Sequence, residues 1–161
     1  MTLSMTLRRF TPGTEPSEPG DAAAEFALGL KGIKLLEEPD VLHFFDHWHV
    51  VHYLSSGQVW EADLPAGFLL GGTDWHPVHP EDDPPRLLSP AEVRAAHSHL
   101  TDLSHALLDE RLTGLHAPGC EVQNAPQTPE EDGLVRGAFG QVRDFLSAAV
   151  TEKQAVLMTL T

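Results

Sequence analysis

Ten histidines in 161 residues offer the most chemistry in this chain, and four of them, His43, His47, His49 and His52, fall in one stretch. Imidazole can ligate a metal ion or move a proton near neutral pH. His43 and His47 are four positions apart, so on a helix they share a face and could hold one Zn²⁺ from adjacent turns. His49 lies well around such a helix and His52 lies on the stripe of Trp48, so neither joins the pair. The zincin pattern also needs Glu directly after its first His, and that position is Phe44. A third ligand would have to come from His76, His79 or the run Glu81-Asp82-Asp83, which nothing in the sequence places beside the pair. His43 and His47 are therefore the residues to watch for a metal, and the expectation is a chain with no resident metal and no cofactor.

His52 beside Trp48 has two readings. A histidine on an apolar stripe is ordinarily neutral, its ring nitrogens hydrogen-bonded to backbone or to a neighbour. The other reading is a general base tuned by burial. His97, His99 and His105 point in three directions from their helix and form no site, and His116 stands alone in a loop. The loop His76-Pro77-Val78-His79-Pro80-Glu81-Asp82-Asp83, followed by Arg86, is the best surface candidate, because long irregular loops carry function disproportionately. Its imidazoles and carboxylates suit a cation or a basic partner. Trp48, His52, His76, His79, Asp82 and Arg86 are thus the candidate binding residues, with no catalytic residue assigned. Cys120 has no Cys-x-x-Cys or nucleophile context. There is no phosphate-binding glycine loop and no Gly-x-Ser-x-Gly elbow.

The elements that must position these residues follow from periodicity. Val41 to Leu54 is apolar nearly all round, broken by Asp46 and three histidines, and closed by Ser55-Ser56-Gly57. It reads as a buried central helix with Asp40 as N-cap and Gly57 as stop. Met1–Phe10 alternates loosely and reads as a half-buried strand. Asp21 caps a short helix toward Leu30, which Lys31 to Leu36 extends. Leu64 to Leu70 is too short an apolar run to assign to helix or strand. Thr73 to Pro85, with four prolines, reads as a surface loop, and Arg86-Leu87-Leu88 as a short strand. Ser89-Pro90-Ala91-Glu92 and Thr128-Pro129-Glu130-Glu131 are capping boxes. They open one helix to about Arg111 and a last helix whose inward stripe includes Leu134, Val135, Phe139, Val142 and Leu146. Ala155–Leu160 reads as a buried strand, and residues 112 to 127 as irregular.

Composition sets the outer limits. The length fits one domain, residues 1–161, and 41% hydrophobic residues fit an ordinary globular chain. No apolar run approaches the roughly 20 residues a membrane span needs, and the start lacks a signal peptide's order of charge and apolar run. A single cysteine excludes an internal disulfide, so a cytoplasmic location is expected. Ten basic against 24 acidic side chains give a net charge of -14, which repels nucleic acid and anionic membranes and either favours a basic protein partner or a cation, or serves only to keep the chain in solution.

Several motifs in order resemble a known family. Trp48, His52, Ser56 and Gly57 form the first; Leu64-Pro65 through Leu70-Gly71-Gly72 the second; Arg86 to Val93 the third. A hydrophobic helix and an Ala-Val-Leu strand, Gln141 to Leu160, close the chain. Together they resemble the YfbM-like family, the bacterial domain of unknown function 1877. Relatives tend to carry Asp-Lys shortly before the tryptophan, where this chain has Phe45 and Asp46. The resemblance implies a small mixed α/β (α+β) domain with helices on a mostly antiparallel sheet that joins the two end strands, and it implies no reaction. Two functions follow from the residues: a non-catalytic, acidic, soluble binding domain for a protein partner, preferred because the imidazoles scatter, and a small metal-dependent or hydrolase-like enzyme using His52 or the His43/His47 pair.

Overall fold

A computed structural model of the chain describes residues 3–31, 34–35, 38–77 and 83–161. Strand β1 (Met5–Phe10) is followed by helix α1 (Asp21–Leu28), strands β2 (Leu30–Lys31), β3 (Lys34–Leu35) and β4 (Val41–Phe45), and helix α2 (Trp48–Ser56). A 3₁₀ turn (Phe68–Leu70) leads to β5 (Thr73–Asp74) and β6 (Arg86–Leu88), then to helices α3 (Pro90–Asp102), α4 (His105–Leu115) and α5 (Pro129–Thr151), and to β7 (Ala155–Leu160). Five strands form one antiparallel sheet in the order β4-β1-β7-β6-β5, while β2 and β3 form a separate ribbon.

The terminal strands are neighbours at the middle of the sheet, in register from Met5 opposite Leu160 to Phe10 opposite Ala155. Successive side chains of a strand face opposite sides, and here both sides are covered. Met5, Leu7, Leu88, Val156 and Met158 pack against α2, α3, α4 and α5 in the main core. Phe10, Ala155 and Leu157 pack on the other side against Ala23 and Ala27 of α1, Phe26 and Trp75. The Arg8 guanidinium lies 4.2 Å over the Phe26 ring, and Arg9 bridges Asp40 at 3.0 Å and Gln154 at 2.7 Å.

Both expected capping boxes form. Ser89 and Glu92 bond each other's backbone N–H at the start of α3, as do Thr128 and Glu131 at the start of α5. Other expectations need correction. The apolar run from Val41 is not one helix: Val41–Phe45 pairs with β1 as a strand, a turn at Asp46-His47 follows, and only then does the helix begin. Asp40 therefore precedes a strand and caps nothing. Gly20, not Asp21, precedes α1, and a ribbon stands where that helix was to be extended. The helix expected to reach Arg111 breaks at Leu103, where Ser104 caps a new helix by accepting the Leu107 N–H at 3.1 Å. Leu134 faces outward at 63% exposure instead of joining the inward stripe. Within Thr73 to Pro85, Thr73–Asp74 is a strand, and Trp75 is buried at 5% exposure. No helix among the described residues is long and apolar enough to cross a membrane.

Candidate functional site

Helix α2 is buried on nearly every side, with Trp48, Val50, Val51 and Leu54 all at 1% exposure or less. Its polar side chains are buried too, and each has to find a partner, because an unpaired buried polar group costs about 1–3 kcal/mol. His49, His52 and Ser55 recur every three positions and so line one face of the helix. His49 Nε2 lies 2.6 Å from the Val59 carbonyl and His52 Nε2 lies 2.5 Å from the Trp60 carbonyl. Ser55 Oγ donates to the Ala66 carbonyl at 2.6 Å. Three side chains of one helix face thus hold the backbone of residues 58–67, a segment with no helix or strand of its own. Gly67, where that segment ends, passes so close to the Ala62 carbonyl oxygen that a Cβ would lie 2.3 Å from it.

The rest of the motif fixes the helix itself. Trp48 Nε1 donates to the Leu3 carbonyl at 2.8 Å, and its ring stacks on His49 at 4.8 Å. Trp60, 53% exposed, also lies against His49, at 4.4 Å between ring centroids. The side chain of Gln123 pairs with both the N–H and the carbonyl of Leu3, at 3.1 and 2.7 Å, and its backbone N–H donates to His49 Nδ1 at 2.9 Å. At the C-terminus, Gly57 takes φ +72, a conformation open to glycine at little steric cost. Arg111 donates to the carbonyls of Leu54 and Ser55 at 2.7 and 3.1 Å, and His99 Nε2 lies 2.6 Å from the latter. A guanidinium at that end opposes the negative pole of the helix.

Burial pushes both α2 histidines below the ordinary imidazole pKa, partly offset by their carbonyl partners; for His52 the neighbouring His49 lowers it further. Both are neutral rings serving as struts. His52 Nδ1 is buried with no hydrogen-bond partner among the described residues. The general-base reading of His52 needs solvent or substrate at the ring, and the residue is 0% exposed.

His43 and His47, the residues to watch for a metal, do not share a helix. His43 sits on β4, its Nε2 3.1 Å from the Gly29 carbonyl, while His47 lies in the turn before α2. Among the described residues no three His, Cys, Asp or Glu side chains converge as a metal-ion set. His116, expected to stand alone, bonds Asp132 at 2.8 Å. His76 is exposed, and His79 and Asp82 lie outside the described residues.

The open surface is elsewhere. Where β1 begins and β7 ends, a cleft of 470 Å³ reaches in toward the core side chains Met5, Met158 and Leu69. Met5, Met158, Leu69 and Leu70 give it apolar walls, and Asp74, Asp83 and Arg86 give it a charged rim. Arg86 pairs with Asp74 at 3.0 Å with both side chains about half exposed, so the pair adds little stability. Thr159 also lines the cleft, and its hydroxyl has no partner among the described residues. Sequence reasoning found Arg86 but missed Asp74 and Met158, since only the β5–β6–β7 pairing brings them together. Leu69 and Leu70 follow directly on the segment that His49, His52 and Ser55 hold, so those buried side chains set one wall of the cleft.

The pattern of the family described as "Domain of unknown function (DUF1877)" matches residues 17–159. Among solved structures, the crystal structure of a protein of unknown function, YfbM from Escherichia coli, has the same fold. It superposes with a TM-score of 0.63 at 15% sequence identity, over 98% of this chain and 99% of that one. No curated protein matches.

Proposed function

Taking as premise that the chain belongs to the DUF1877 family, we propose that it is a non-catalytic binding domain whose cleft where β1 begins and β7 ends receives a segment of a basic protein partner. The observation that carries this reading is the cleft itself: apolar walls from Met5, Met158, Leu69 and Leu70 beside the exposed carboxylates of Asp74 and Asp83. An apolar side chain of the partner would bury against the walls, and a Lys or Arg beside it would meet the rim. The charge of -14 would draw such a partner in and speed encounter. Trp48 and His52 act in this reading from beneath, by fixing the wall, and Arg86 by orienting Asp74. The proposed setting is the cytoplasm of a bacterium.

Affinity capture from native bacterial cytoplasm tests the proposal, comparing the wild type with an Asp74→Lys/Asp83→Lys variant of unchanged circular dichroism. The expected result is a basic partner retained by the wild type, released by added salt and lost from the variant. Equal retention by both proteins would overturn the assignment of the cleft. Turnover by the purified wild type in a broad hydrolase screen would overturn the non-catalytic reading.

A further inference from the structure

We propose that the groove between α4 and α5 is a second binding site, for a small amphiphilic anion: a carboxylate or phosphate carried on a short apolar body. The groove holds 250 Å³ and shares no lining residue with the cleft. Its floor is apolar, built from Leu54, Leu112 and Phe139, all buried, with Leu108 beside them. Its rim carries two guanidinium groups, Arg136 and Arg143, one above the other on α5, with His105 at the start of α4 beside them. The neighbouring Asp109 carboxylate is paired with Arg136, and among the described residues no aspartate or glutamate lines the groove. That is notable in a chain with 24 acidic and 10 basic side chains, where a surface drawn at random would be ringed by carboxylates.

The two arginines differ. Arg136 is held by the Asp109 carboxylate, which fixes its position and leaves its remaining N–H groups available. Arg143, exposed, has no carboxylate partner among the described residues. A guanidinium presents a fork of donors that matches a carboxylate or phosphate oxygen pair. The apolar floor supplies the burial, and the few placed charges fix orientation, which is the usual division of labour in a small-ligand site.

Gly140 makes the room. A Cβ there would meet only the Arg143 guanidinium, at 3.9 Å, so packing does not require glycine at this position. In a helix interior glycine is about 1 kcal/mol less favourable than alanine. A larger side chain at 140 would improve the helix and occupy the groove.

Octanoate is the probe, with octanamide as its uncharged match, titrated into the full chain and followed by amide chemical shifts. Saturable shifts at Leu108, Leu112 and Gly140 are expected with octanoate and much weaker ones with octanamide. Arg143→Gln should weaken octanoate roughly ten- to a hundredfold, the range expected for losing a charged hydrogen bond. Gly140→Leu should abolish binding while leaving the melting temperature unchanged or raised. Absence of saturable shifts, shifts centred on the sheet cleft, equal binding of octanamide, or full binding by Gly140→Leu would each overturn the proposal.

Discussion

The backbone N–H of Gln123 donates to Nδ1 of His49 across 2.9 Å. That nitrogen must therefore carry the lone pair, which puts the ring proton on Nε2, where it reaches the Val59 carbonyl. The bond fixes one neutral tautomer, since a second ring proton would confront the Gln123 N–H.

A pH dependence follows, with a definite sign. His49 and His52 have folded pKa values below the ordinary 6.5. Above that value neither the folded nor the unfolded chain binds these protons, and their contribution is flat. Below it the unfolded chain takes up protons that the folded chain refuses, so stability falls as pH drops from 6.5 toward the lowered folded values. Urea denaturation at about pH 7.5 and about pH 5.5 should show a larger loss for the wild type than for a folded His52→Asn variant. Ring proton resonances of both histidines should titrate below 6.5; midpoints at or above it would refute the assignment.

Trp48→Ala should destabilise the domain by about 3–5 kcal/mol, because it empties a fully buried site and removes one of the two donors to the Leu3 carbonyl. Trp48→Phe keeps most of the ring and should cost markedly less. Urea midpoints read both, and a loss below about 1 kcal/mol for alanine would contradict a central role for the helix.

Gln123→Ala leaves both the N–H and the carbonyl of Leu3 without this partner. The expected cost is about 1–3 kcal/mol, with faster hydrogen exchange at Leu3 and at the Val59–Trp60 segment. Unchanged exchange there would mean that the amide side chain transmits nothing to the loop.

Two glycines should respond with opposite signs. Gly137 lies exposed on α5 with open space where a methyl group would sit, so Gly137→Ala should stabilise by roughly 0.5–1 kcal/mol. Gly67→Ala would push a methyl against the Ala62 oxygen at 2.3 Å and should destabilise by about 1–3 kcal/mol. Thermal melts of the two variants decide the matter, and like signs would contradict the packing described.

Much of the fold could be read from residues whose local chemistry has one outcome. Ser89-Pro90-Ala91-Glu92 and Thr128-Pro129-Glu130-Glu131 begin helices because their caps are satisfied within four residues, whatever the surroundings. Ala155–Leu160 read as a strand because a continuous apolar run is what a sheet buried on both faces demands. The same logic misled at Val41–Phe45, where apolar residues on every side fit a buried helix as well as a strand, and periodicity cannot separate the two. Pairing with β1 decides it, and that is a tertiary fact. Ser104 went unread because its cap interrupts an otherwise unbroken helical pattern. Gln123 left no signal, since its partners are the backbone of Leu3 and a ring nitrogen of His49, and neither announces itself in sequence.

The pairing of Ser4 with Thr161 has a mechanical consequence. Each donates its backbone N–H to the other's carbonyl, at 2.8 and 2.9 Å, so the outer ends of β1 and β7 are adjacent and the strands run away from them together. Tension between Ser4 and Thr161 would act across the ladder and open its rungs one at a time, instead of loading them all in shear. The tear would start beside the cleft and run between β1 and β7, both inner strands of the sheet. Stretched by its ends, this domain should peel apart at low force, although the same ladder lies at the centre of its folded core.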